Sequence, residues 1–229
     1  MVTPEDFQAT VITDCLDDNS MYLLFDFDGT LVDSFNCVME KAILLADEFN
    51  LNTLSDEDIE SLRGLSSKEL LKLLNIPLYK VPKLIHQMRK HLRHEMHHLA
   101  PAAHIHPVIE RLYDAEFSLG ILTSNSVENV STWLETHHMQ HFFNFIHSES
   151  RYFSKKYLLK KTLKTYKMDK SKTYYIGDET RDIDAATKNN IKSVAVTWGY
   201  NSEKALLQYD PAFIARHPRD ILTICGISS

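Results

Sequence analysis

Cysteine is scarce in this chain of 229 residues: there are three, Cys15, Cys37 and Cys225, widely separated. They form no CxxC pair and no even-numbered framework, which excludes a disulfide-stapled scaffold and makes a reducing cytoplasm the expected location. Long apolar runs are lacking as well. No stretch approaches the roughly 20 residues that a membrane span needs. The start of the chain is acidic (Glu5, Asp6, Asp14, Asp17, Asp18), without the basic and apolar blocks of a secretion signal. Nor is there a surplus of positive charge, since the formal net charge is −6. Phosphate backbones and anionic membranes are held by basic patches, so neither nucleic acid nor membrane is an expected partner. A small anionic substrate is compatible with this balance, because a bound cation reverses the local sign.

What is present is the material of a soluble core, 44% hydrophobic and 24% charged residues. The length fits one large domain or a core with a modest inserted module, as a monomer or homodimer. Short apolar runs alternate with helix-length periodic segments, without an internal repeat or low-complexity tract. The strands fall at Tyr22–Phe27, Ser118–Thr123, Phe143–His147, Thr173–Ile176 and Ser193–Thr197, with helices near 106–117, 127–138, 155–167 and 180–190. A short apolar piece at Ala212–Ala215 and a helix at Pro218–Cys225 close the chain. This pattern predicts an α/β fold, a Rossmann-like parallel sheet covered by helices. Residues 35–103 break the alternation with successive helical patterns, such as Leu84, Met88, Leu92 and Met96. They read as an inserted all-helical cap, leaving residues 1–20 as an N-terminal extension and 21–34 plus 104–229 as the core.

The chemistry concentrates at strand ends. Phe25-Asp26-Phe27-Asp28-Gly29-Thr30-Leu31-Val32-Asp33-Ser34 follows the first strand, and ligands in open α/β sheets sit outside the carboxyl ends of strands. Two carboxylates one residue apart can divide the work, Asp26 as nucleophile and Asp28 as proton shuttle. A solvated acidic loop would account equally for an isolated pair. Thr123, Ser124 and Asn125 end the second strand ahead of a helix, where hydroxyl and free N–H groups suit a phosphate or cap the helix. Gly177-Asp178-Glu179-Thr180-Arg181-Asp182 opens another helix at a strand end. Its Asp178 and Asp182 are spaced for one hard cation such as Mg²⁺, or complement a helix dipole. Lys155 or Lys156, after the third strand, supplies the positive charge that a phosphoryl group requires.

Taken together these segments resemble the haloacid-dehalogenase superfamily, in its phosphoglycolate-phosphatase-like branch. The family pattern, DxDGTLxDS, a strand ending in Thr or Ser, a Lys, then GDxxxD, occurs in order across most of the chain. The resemblance implies a phosphatase working through an aspartyl-phosphate on Asp26, with Asp28 as acid and then base. It implies Mg²⁺ held by Asp26, the Asp28 carbonyl, Asp178 and Asp182, and phosphoryl oxygens held by Thr123, Ser124, Asn125 and Lys155. The substrate would be a small phosphorylated metabolite, and Arg63 in the cap could reach its anion. Where the cap returns, relatives often carry a Pro-x-x-Gly-like turn; here it reads Pro101-Ala102-Ala103-His104.

Three other readings compete. A phosphomutase of the β-phosphoglucomutase type shares the same motifs, and a non-catalytic binding protein could keep the fold, though a scaffold needs neither Asp26 nor Asp28. His94-Glu95-Met96-His97-His98 satisfies the H-E-x-x-H zinc pattern, with His104 at the third ligand position. Pro101 occupies that pattern's glycine position, however, and the protease reading leaves both acidic motifs unused. His91, His94 and His98 share one helix side and could bind a metal adventitiously. Trp198-Gly199-Tyr200-Asn201, after the last main strand, could border the site, with packing the simpler reading.

Overall fold

The computed structural model describes residues 7–11, 21–49, 69, 72–73, 75–84, 86–87, 95, 98–149 and 155–227. Its centre is a sheet of seven strands: β1 (Phe7–Val11), β2 (Tyr22–Phe25), β3 (Ser118–Thr123), β4 (Phe145–Glu149), β5 (Thr173–Gly177), β6 (Lys192–Val196) and β7 (Phe213–Ala215). They lie in the order β1-β4-β3-β2-β5-β6-β7. Strands β2 to β7 are parallel, as the alternation of strands and helices predicts.

The strand sequences explain the layering. Every residue of β2, β3 and β5 is buried, as expected of strands covered on both faces. Neighbouring residues of β2 point to opposite sides. Leu23 and Phe25 join a core with Ile109, Leu112, Trp133 and Leu134, while Tyr22 and Leu24 join one with Leu158, Leu159 and Ala186. The first core is closed by helices α2 (Ile105–Asp114) and α3 (Val127–Thr136). Helices α4 (Lys155–Thr165) and α5 (Thr180–Asn189) close the second. Phe142, Phe143 and Phe145 are core residues. Among the described residues no helix is long and apolar enough to cross a membrane.

Two findings depart from the sequence reading. The stretch ahead of Tyr22 contributes a strand: β1 runs antiparallel to β4, Phe7 opposite Glu149 and Val11 opposite Phe145. Five residues of mixed polarity carry little strand signal, and only the free edge of β4 gives them a ladder to join. The second concerns the turn at Pro101. His104 takes φ +65°, a left-handed conformation that glycine adopts freely and histidine less often. The turn therefore keeps a glycine-like backbone without a glycine.

The segment between the first two parallel strands leaves and returns side by side. Asp33 N–H donates to the Ala100 carbonyl at 3.0 Å and Ala102 N–H to the Leu31 carbonyl at 2.9 Å. Between these crossings the chain enters helix α1 (Phe35–Phe49), and a 3₁₀ turn covers Leu78–Lys80. Arg63, His91 and His94 lie outside the described residues, as do Met88, Leu92 and Met96 of the apolar stripe.

Candidate active site

Strand β2 sits at the middle of the sheet, with β3 on one side and β5 on the other. The connections leave it in opposite directions, so its carboxyl end opens into the crevice where such sheets bind ligands. Asp26 is the next residue. Its N–H donates to the Ile176 carbonyl at 2.8 Å, extending the β2–β5 ladder by one step and fixing the side chain's direction. Asp26 is 2% exposed. Burial pushes its pKa up to about 7 against the opposing pull of Lys155, and Asp182 raises it further.

Lys155 begins helix α4 and turns inward. Its Nζ donates to Asp26 Oδ2 and to Asp182 Oδ1, each at 2.5 Å, and lies 3.7 Å from Glu179 Oε2. Burial and Arg181 oppose its charge, yet Asp182, Asp26 and Glu179 hold the ammonium above its ordinary range. Lys156 points elsewhere, its Nζ over the Tyr157 ring. One residue of helix separates the two lysines by about 100°, which turns one inward and the other out.

Asp28 is half-buried and accepts from Asn125 Nδ2 at 3.1 and 3.4 Å. Burial raises its pKa, while hydrogen bonds from Asn125 and Ser34 moderate the rise. Asn125 is itself fixed: its N–H donates to Thr123 Oγ1 at 2.9 Å, and its Oδ1 accepts from Asn129 Nδ2 at 3.0 Å. Ser148 donates to its carbonyl. Ser126, two residues beyond Ser124, caps α3 through a bond from Asn129 N–H, so Thr123 and Asn125 are organised around Asp28. Ser124 is half-buried beside them.

Asp178, fully buried, accepts from Thr30 Oγ1 and from Tyr200 N–H, each at 2.7 Å. Burial drives its pKa well up, and the charges of Asp26, Glu179 and Asp182 add to the rise. Gly29 makes this approach possible. Its φ is +79°, and a Cβ there would stand 2.3 Å from Asp178 Oδ2, closer than non-bonded atoms tolerate. Gly177 serves Asp182 similarly, since a Cβ would meet the Asp182 carboxyl at 2.5 Å. Asp182 Oδ2 accepts from Glu179 N–H at 3.1 Å, capping α5.

The structure thus draws Asp26, Asp28, Lys155, Thr123, Ser124, Asn125, Asp178 and Asp182 to one edge of the sheet. It also adds residues that motif reading passes over. Glu179 joins Asp26 and Asp182 in the group of possible metal ligands among the described residues, their oxygens within 4.8 Å of one another. The segment read as packing borders the site: besides Tyr200, Asn201 Oδ1 accepts from Thr180 N–H at 3.0 Å, and Trp198 Nε1 donates to the Thr30 carbonyl at 3.1 Å. Its position just past a parallel strand is the one signal the sequence offers. In the His-rich stretch, Glu95 pairs with Lys41 at 3.2 Å and His98 is exposed.

Five carboxylates (Asp26, Asp28, Asp178, Glu179, Asp182) here face two cations, Lys155 and Arg181. Burial raises the pKa values of Asp26 and Asp178, and the neighbouring carboxylates add to the rise. A donor set of oxygens alone, without Cys or His, suits a hard divalent cation. The residues present therefore fit a hard divalent cation.

The fold and this acidic centre define the class: a Rossmann-like α/β protein with an acidic centre at the carboxyl edge of a parallel sheet. Comparison with known proteins places the chain within that class. A sequence model described as haloacid dehalogenase-like hydrolase matches residues 23–196, and the chain belongs to that family. A phosphoglycolate phosphatase of Synechococcus elongatus is 28% identical over 200 residues, covering 87% of this chain and 94% of that protein. Pyrophosphatase PpaX of Oceanobacillus iheyensis is 26% identical over 219 residues, covering 90% and 97%. A solved haloacid dehalogenase-like hydrolase of Streptococcus pneumoniae shares the fold with a TM-score of 0.75 at 21% identity, covering 90% of this chain and 98% of that one.

Proposed function

We propose that the protein is a Mg²⁺-dependent phosphatase of small phosphorylated metabolites, acting in the cytoplasm through a phosphorylated Asp26. The observation that carries this reading is the pairing of Asp26 with Lys155 at 2.5 Å beneath a separately held Asp28. A nucleophilic carboxylate needs one oxygen free and its charge kept. Lys155 holds Oδ2 and stabilises the ionised form, leaving Oδ1 to attack phosphorus in line.

As the new P–O bond forms, the ester P–O bond breaks, and Asp28 gives its proton to the leaving oxygen. Burial raises the Asp28 pKa, which favours the protonated form that a general acid needs. Asp28 then takes a proton from water as that water attacks phosphorus, releasing phosphate and restoring Asp26. Lys155, the Thr123 hydroxyl and the backbone around Ser124 would offset the charge on the transferred oxygens. Mg²⁺ would be held by Asp26, the Asp28 carbonyl and Asp178, with Asp182 and Glu179 beside it. When bound it supplies further positive charge against the phosphoryl oxygens. Arg63, in a cap spanning 35–103, would meet the far end of the substrate. Phosphoglycolate, sugar phosphates and nucleotides all satisfy this chemistry.

The test is release of phosphate from 4-nitrophenyl phosphate, with Mg²⁺ and after chelation, by the wild type and by Asp26→Asn. Activity that requires the metal and falls to background in the variant, whose melting stays cooperative, is the expected result. Full activity in Asp26→Asn would sink the mechanism.

A further inference from the structure

Asp178 directly follows β5, which lies between β2 and β6 in the sheet. Its two carboxylate oxygens take donors from opposite sides. Thr30 Oγ1, from the turn after β2, donates to Oδ1, and Tyr200 N–H, from the turn after β6, donates to Oδ2, each at 2.7 Å. The two flanking turns also meet each other, because Trp198 Nε1 donates to the Thr30 carbonyl at 3.1 Å. The segment 198–201 is pinned to the backbone around Asp178 as well. Asn201 N–H donates to the Asp178 carbonyl at 3.2 Å, and Asn201 Oδ1 accepts from Thr180 N–H at 3.0 Å. Gly199 lets this backbone lie against the carboxylate, since a Cβ there would stand 2.3 Å from Asp178 Oδ2. Two donors occupy two of the roughly four lone-pair sites of a carboxylate and leave the others for a cation. Asp178, Thr180 and Asn201 are all buried, so a partner lost here is not replaced freely by water.

We infer that Trp198 and Asn201 are positioning residues that set the cation affinity of Asp178, a role that rests on the phosphatase reading of Asp178 as a metal ligand. Tyr200 N–H is a main-chain donor, so its aim depends on how its own segment is held. Trp198 fastens the start of that segment to the turn after β2, and Asn201 fastens its end to the first residue of α5. With either tie cut, the segment drifts and the Asp178 carboxylate is no longer fixed from both sides. Re-aiming it on binding then costs affinity, as ordering any loose group does. Partners that orient a metal ligand are typically worth about 10- to 100-fold in metal affinity. A residue that only supports the fold lowers melting and leaves that affinity alone.

The experiment measures Mn²⁺ binding to the full chain without substrate, from the electron paramagnetic resonance signal of the free ion. Mn²⁺ accepts the same oxygen ligands as Mg²⁺, and displacement by Mg²⁺ identifies the shared site. Wild type, Asn201→Ala, Trp198→Phe and Asp178→Asn are compared, with Ser202→Ala as control. Trp198→Phe keeps an aromatic ring and removes the N–H. The Ser202 side chain accepts from Ala205 N–H at 3.4 Å and caps the short helix Glu203–Leu207, so its loss weakens the fold beside the segment and spares the ties to Asp178. The Kd of the Mg²⁺-displaceable site should rise about tenfold in Asn201→Ala and in Trp198→Phe, and stay within about twofold in Ser202→Ala. Asp178→Asn should lose the site. Thermal melts of the metal-free chains read folding separately. The two positioning variants cut different ties, so a cooperative melt in either one suffices for the comparison. Unchanged affinity in both, with the site lost in Asp178→Asn, overturns the positioning role and leaves the metal assignment standing. An equal loss in Ser202→Ala overturns it too, since general loosening would then account for the effect. Wild-type affinity in Asp178→Asn overturns the assignment of Asp178 itself.

Discussion

Replacing Lys155 by methionine keeps most of the side chain's length and removes its charge, leaving Asp26 and Asp182 without the ammonium that each contacts at 2.5 Å. Stripping one partner from a buried pair costs roughly 3–5 kcal/mol while the orphaned charge stays ionised. At about 2–4 °C per kcal/mol for a chain of this size, melting should fall by about 6–20 °C. The deficit is pH-dependent. Asp26 already titrates at about 7 in the fold, above its ordinary 3.8, and losing Lys155 moves it higher. A carboxyl with a raised folded pKa binds its proton more tightly in the native state. Its contribution to stability is therefore full below about pH 4 and is lost as pH rises through the folded value. The variant's melting deficit should thus be larger at pH 8 than at pH 6. Turnover should drop by about 10² to 10³, the loss typical of one preorganised charge at the transition state. It should drop further below the variant's Asp26 pKa, where the nucleophile is protonated. The assay pairs thermal melts at the two pH values with phosphate release, using Lys156→Met as control. Turnover in Lys155→Met within about tenfold of wild type, or an equal loss in Lys156→Met, would refute the reasoning.

Gly29→Ala places a methyl group 2.3 Å from Asp178 Oδ2 at φ +79°. Asp178 must move, so the Mg²⁺ concentration for half-maximal activity should rise at least severalfold and melting should fall; an unchanged metal titration would contradict the assignment of Asp178. On the opposite core face, His147 is 1% exposed, and its Nδ1 lies 2.8 Å from Thr162 Oγ1. The Thr162 proton goes to the Leu158 carbonyl, so Nδ1–H donates and Nε2 accepts from Tyr166 OH. Burial lowers the His147 pKa from 6.5 to about 4. Stability it supports above pH 6.5 should be lost as pH falls toward 4, up to about 3 kcal/mol. Urea unfolding of His147→Asn should be weaker at pH 8 and lose less between pH 6.5 and 4; identical slopes in variant and wild type would be the failing result.

The sequence by itself determined the sheet and its helices, because strands buried on both faces read as short apolar runs and the helices between them keep an amphipathic period. It also marked the strand ends as chemical, since Asp26, Gly29 and Asp178 are residue types that such positions select for charge or backbone freedom. Lys155 and Lys156 are neighbours in the string, and only the phase of α4 turns Lys155 onto Asp26. Glu179 reads as a polar filler between two motif aspartates until the turn before α5 brings it near Lys155. Tyr200 stands 166 residues from Ser34, and no local pattern links them. The edge strand β1 exists because β4 offers it a ladder, and the left-handed His104 because the return at Pro101 is held to Leu31 and Val32. Periodicity and turn chemistry are local and survive in a string of letters, whereas contacts between distant segments depend on how the packed elements meet.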